Sequence, residues 1–192
     1  MKGAPFLRSR VERKACPAIA IASALVPLAC IAAAALSSGW FNLWSNALSD
    51  LGHAVRSNVA PIFNFGLSAG GLLVALAGAC SLERSRAIGW TLVVAGYFLV
   101  LIAVFDEVYG RLHFYVSVAF FLSIAALLAE YALTVRGVKG LLASLAIAVG
   151  VAAWVAHLAY GVPRGAAVPE LVSIFVALPF YFDFTLGRRR AR

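Results

Sequence analysis

The chain has 192 residues, 63% of them hydrophobic and 12% charged, where a soluble domain carries roughly a quarter charged residues. With a positive mean hydropathy, this excludes a water-soluble globular protein. The net charge of +8 does not point to nucleic acid either. The basic residues stand in short blocks beside apolar runs, without aromatic interleaving or a basic helix face.

An ionised side chain at the bilayer centre costs several kcal/mol, so charge-free windows locate the crossings. Six windows appear, at about 16–36, 58–81, 87–105, 112–133, 139–160 and 169–187, each near the about 20 residues a helical crossing requires. Backbone groups in lipid must bond within their own segment, and no alternating barrel pattern is present. The expectation is an all-α integral membrane protein: one transmembrane domain over residues 1–192, built as a six-transmembrane-helix bundle and resident in the cell membrane. The first window also resembles a signal peptide, with its basic start and small residues Ala32 to Ala35, but it is long enough to span and is expected to be retained.

Lys and Arg flanks set the orientation. Lys2, Arg8, Arg10, Arg13, Lys14, Arg84, Arg86, Arg136, Lys139, Arg188, Arg189, Arg190 and Arg192 fall on one side, leaving Arg56, Arg111 and Arg164 on the other. Both termini are therefore expected in the cytoplasm. Cys16, Cys30 and Cys80 lie within or at the ends of apolar runs without CxxC spacing, which reads as small core residues rather than a disulfide framework or thiolate site.

The acids and histidines sort toward the outer side. Between the first two crossings, Trp40 to Arg56 separates at 100° per residue into an apolar face (Trp40, Trp44, Leu48, Leu51, Val55) and a polar face (Asn42, Asn46, Ser49, His53, Arg56). This predicts an amphipathic interfacial helix between helices 1 and 2. Gly52 weakens it, the alternative being a helix that stops near Ser49 with Asp50 capping the next turn. Its polar face either meets water and headgroups or acts as a lid. In the second crossing Asn64 calls for an interhelical partner, and Gly66 and Gly70 form a GxxxG packing face.

The next outer connection holds Asp106, Glu107, Arg111 and His113 within eight residues. A carboxylate near an imidazole suits general acid or base work, or a share in a metal shell. His157 lies about one turn inside the outer end of the fifth crossing. Glu170 follows Pro169 at the start of the sixth, where the helix dipole favours an acid. Glu130 and Asp183 lie toward the basic side and read as paired anchors.

The segments NALSDLG at 46–52, IFNFGL at 62–67, FDEVYGRLHFYVSVAFF at 105–121 and VPEL at 168–171 together resemble the archaeal branch of the polytopic membrane proteins catalogued as domain of unknown function 998. The resemblance covers nearly the whole chain and implies no activity. It does imply that SDLG, the buried Asn and the acid-to-His connection share one outer site. Many members have Pro-Glu before the histidine loop where this chain has Asp106-Glu107, so Glu107 is the better match.

Three functions follow from the residues. The first is an enzyme hydrolysing or transferring a group on a lipid or lipid-linked substrate, with Ser49, Asp50, His53, Glu107, His113 and His157 as catalytic candidates and Asn46, Asn64, Asp106, Arg111 and Glu170 as substrate-binding candidates. A divalent metal, if used, would fall to His113 and His157, although no HExxH or HxxxH pattern is present. The second is a non-enzymatic accessory or assembly protein. The third is a small transporter, for which acids near the midplane would be expected. The partners expected are the lipid bilayer and a lipid substrate, not nucleic acid. The sequence leaves the oligomeric state and cofactors open.

Overall fold

Backbone amides in hydrocarbon have no water to bond, and the chain answers with helices throughout. The computed structural model describes residues 5–187, with side chains from residue 15 onward. The helices are α1 (Pro5–Ser38), α2 (Ala60–Ser81), α3 (Arg86–Val104), α4 (Arg111–Thr134), α5 (Val138–Tyr160) and α6 (Ala167–Leu186). Each is long and apolar enough to cross a membrane, with the crossing part of α1 starting at Ala15. They occupy the six expected windows, and α1 reaches further toward the N-terminus. The side chains of Lys2, Arg8, Arg10, Arg13, Lys14, Arg188, Arg189, Arg190 and Arg192 lie outside the described residues.

Connections alternate between two ends. One, the basic end, carries Arg84, Arg86, Arg136 and Lys139; the other, the acidic end, carries Asp50, Asp106, Glu107 and Glu170. The outside of the bundle is apolar, with Leu25, Leu72, Trp90, Leu122, Leu133 and Leu158 all exposed, as lipid contact requires and water would not tolerate. Helix α5 is peripheral and buries only Gly140, Ala143 and Ala146.

Small residues set the packing, as expected where dispersion rather than hydrophobicity drives helix association. A Cβ at Gly66 would stand 2.2 Å from Cys30 Cβ, and one at Gly70 would stand 2.6 Å from Pro27 Cγ, so this pair seats α1 on α2. On another side of α2, Gly71 and Gly78 meet the backbone carbonyls of Gly96 and Gly89 of α3 at 2.6 and 2.7 Å by the same measure. The GxxxG pair thus serves α1, while the remaining glycines serve α3.

The basic end is also covalently joined. Cys16 and Cys80 form a disulfide between α1 and α2, with Cα atoms 5.9 Å apart, and Cys30 is free. This corrects the reading of all three cysteines as core residues. Cys16 opens its crossing and Cys80 closes the next, so antiparallel packing sets the two thiols side by side. Asp183 is paired with Lys139 and accepts from Tyr131 Oη at 2.5 Å. Glu130 instead accepts from Thr91 Oγ1 at 2.9 Å.

The interfacial helix is corrected as well. Between Trp40 and Arg56 only Leu48–Gly52 is helical, as a 3-10 turn. The two faces exist in the sequence, but short polar side chains divert the backbone. Asn42 Oδ1 accepts from Trp44 N at 2.8 Å, Asn46 Oδ1 from Asn42 N at 3.0 Å and Asp50 Oδ2 from Ala47 N at 2.9 Å. Such local bonds compete directly with a helical ladder. The turn therefore sinks into the bundle: Leu48 and Leu51 are buried with Val59, Phe63, Leu99 and Val116.

Candidate functional site

The buried 3-10 turn brings carboxylates from three distant segments together. Ser49 Oγ donates to Glu107 Oε1 at 2.8 Å, and Glu107 also lies close enough to the Asp50 carboxyl to feel its like charge. Asp50 is held by Asn46 Nδ2 at 2.8 Å and by the Ala47 amide. Glu170, at the first turn of α6, accepts from the Leu48 amide at 2.7 Å. The helix N-terminus favours an acid there, but the bond goes to an element 122 residues away. The loop before α6 adds two backbone bonds, Gly165 N to Trp44 O at 2.9 Å and Ala167 N to Asn46 O at 3.0 Å. A Cβ at Gly165 would fall 2.2 Å from Asn46 O, so only glycine lets the two loops touch.

Burial, then the neighbouring Asp50, raises Glu107 from 4.5 to about 7, against the opposing pull of Ser49 and Arg56. A carboxyl titrating there can both take and give a proton at neutral pH. None of Asp50, Glu107 and Glu170 is ion-paired with a described residue.

Beneath this cluster runs a cavity of about 150 Å³. Leu48, Ser49 and Glu170 line its acidic end, and Ser23 and Tyr181 its far end, with Ala95, Phe120 and Leu127 between them. At the far end Ser23 Oγ and Tyr181 Oη are joined by a 2.6 Å hydrogen bond.

A family model described as a protein of unknown function (DUF998) matches residues 20–185. The chain belongs to this family. No curated protein and no solved structure matches it.

In this DUF998 chain the histidines are not drawn into the cluster by hydrogen bonds. His113 Nδ1 bonds Phe105 O at 2.7 Å, with Nε2 at 3.4 Å from Ser117 Oγ. His157 Nδ1 bonds Pro163 O at 2.8 Å, and His53 Nδ1 accepts from the amides of Val55 and Arg56 at 3.3 Å. Each imidazole thus braces the connection next to it. Among the described residues no group of three His, Cys, Asp or Glu is arranged to hold a metal ion.

The substrate-binding candidates divide in the same way. Asn46 joins the cluster through Asp50, as above, and Asn64 reaches it indirectly, donating to Gly52 O at 2.9 Å. That bond goes to the 3-10 turn rather than to another helix. Asp106 caps its own turn, accepting from Val108 N at 2.8 Å, and Arg111 is exposed at the start of α4. Sequence reasoning missed the Leu48 amide and the cavity. It missed the cavity because Ala95, Ser117, Ser123 and Ala177 are ordinary small residues of membrane helices until their positions are known.

Proposed function

We propose that this is an outward-facing enzyme of the cell membrane that draws the chain of a lipid or lipid-linked substrate into the bundle and hydrolyses or transfers a group at its polar end. The orientation that goes with this reading puts both termini in the cytoplasm and the acidic end outside, supported by the basic flanks. The placement in an archaeal branch of the family rests on the resemblance carried by the segments at 46–52 and 105–121. One observation carries the proposal: Ser49 lines the apolar cavity while donating to a carboxyl that titrates near neutrality.

In this reading Glu107 takes the Ser49 hydroxyl proton as Oγ attacks the carbonyl carbon of an ester or amide. The proton then passes to the departing alcohol or amine. Water or a second alcohol releases the acyl group from Ser49, giving hydrolysis or transfer. Asp50 keeps the Glu107 proton affinity high. His53, His113 and His157 hold the surrounding connections. Transport is less well supported, since neither Glu130 nor Asp183 lines the cavity.

A non-enzymatic accessory role is the second reading. It is favoured because Asp50, Glu107 and Glu170 each also hold a group of the capping turn. The test is lipid turnover, followed by mass spectrometry in nanodiscs made with a total lipid extract. Glu107→Gln is expected to slow turnover by about 100-fold or more, the usual scale for a general acid or base, with the protein still folded. Turnover unaffected by Glu107→Gln overturns the proposal, and no turnover in the wild type turns the case to the accessory role.

A further inference from the structure

The cavity and its mouth together specify a ligand. Along α6 the lining runs from Glu170 to Tyr181, eleven residues apart and hence roughly 16 Å at the helical rise. A volume of about 150 Å³ drawn out over that length admits one hydrocarbon chain and no second one. Cavities of this size lined by aliphatic and aromatic groups stay dry and take apolar guests.

The mouth is different in kind. Glu170 is 9% exposed and lines the cavity. Its Oε2 accepts from the Leu48 amide, and its Oε1 receives no hydrogen bond from the described residues. That oxygen is not sealed in by the protein, so a donor group placed at the mouth can reach it. Ser49, beside it, spends its hydrogen on Glu107 and keeps acceptor capacity. Behind them stand the carboxyls of Asp50 and Glu107, and Arg56, the described cation that acts on Glu107, is not ion-paired with it. Acceptors without donors repel a phosphate head and welcome a cationic donor.

We infer that the cavity binds a single-chain amphiphile bearing a primary ammonium head, its chain running toward Tyr181 and its head donating to Glu170 Oε1. The inference rests on the lipid-active reading above and narrows it: the group held at the mouth is an amine rather than a phosphate. It also suits a reaction in which an amine departs from an acylated Ser49.

The test is photo-crosslinking of the full chain in phosphatidylcholine nanodiscs, using a dodecylamine that carries a diazirine in mid-chain. Labelling is expected on cavity-lining peptides of α4 and α6. Dodecylamine in about tenfold excess should suppress it about tenfold, since probe and competitor share one head and one site, whereas the same excess of dodecyl phosphate should leave it nearly unchanged. Ala177→Phe, which fills the cavity, should abolish it, and Glu170→Gln should weaken it by a similar factor of about ten. Equal competition by dodecyl phosphate overturns the ammonium head while leaving the lipid site in place. If neither the amine probe nor a matching diazirine alcohol or phosphate labels the cavity, the lipid-active reading fails with it. The competition arms use the wild-type chain, so the result does not depend on either variant folding.

Discussion

At the basic end, Asp183 is shared between Lys139 and Tyr131. There Arg84 Nη1 closes on the carbonyls of Phe184 and Gly187 at 2.5 and 2.6 Å, and a disulfide ties α1 to α2. At the acidic end three carboxyls crowd one 3-10 turn, held by amides and a hydroxyl, with no ion pair to a described cation. Opposite charges satisfy one another where the chain needs a fixed scaffold. Like charges are forced together where it holds a cavity open, and sites of that kind are where function concentrates.

Each region can be broken separately. The largest effect is expected at the basic end. Cys16→Ser opens a loop spanning 64 residues, for which chain entropy gives up to about 4 kcal/mol of lost stability. Thermal unfolding in detergent should show the loss, with lipid binding at the other end retained. In the wild type, maleimide under denaturing conditions should label one thiol, Cys30, without reductant and all three with it.

Next comes Gly165→Val, which forces a side chain into Asn46 and should cost about 2–3 kcal/mol by overpacking. Hydrogen exchange should quicken at residues 44–52 and not around Asp183. Glu170→Ala leaves the Leu48 amide without its acceptor and should cost about 1–3 kcal/mol, with Glu170→Gln restoring much of the loss.

A smaller, pH-dependent effect belongs to Glu107. Its carboxyl sits at about 7 rather than 4.5, so between those values the folded chain keeps a proton that the unfolded chain has released. Stability from this group is full below about 4.5 and is lost as pH rises through about 7. Melting temperature should therefore fall across that window, and less steeply in Glu107→Gln. The smallest effect is Lys139→Ala, whose pair with Asp183 is 60% and 39% exposed and should cost under about 1 kcal/mol.

The crossings were legible because lipid imposes length and apolarity directly on the sequence: apolar windows with few charges return α2 to α6 almost residue for residue. The capping segment was not. Its 100° pattern is present, but helix periodicity says nothing about Asn42, Asn46 and Asp50 bonding their own backbone. Ser49, Asp50 and Glu107 could be singled out as candidates from residue type and position. Their meeting, and the part played by Glu170, depends on helix adjacency that no spacing encodes. The histidines misled for a related reason. At helix ends an imidazole can serve a neighbouring carbonyl, as His113 and His157 do, and residue type alone does not separate that from catalysis.

The claim that the acidic cluster and the cavity form one lipid site is tested most directly by native mass spectrometry of the protein released from membranes. The account predicts a bound lipid on the wild type and on Lys139→Ala that is lost from Ala177→Phe. Identical adducts on all three, or no adduct on the wild type, would contradict it.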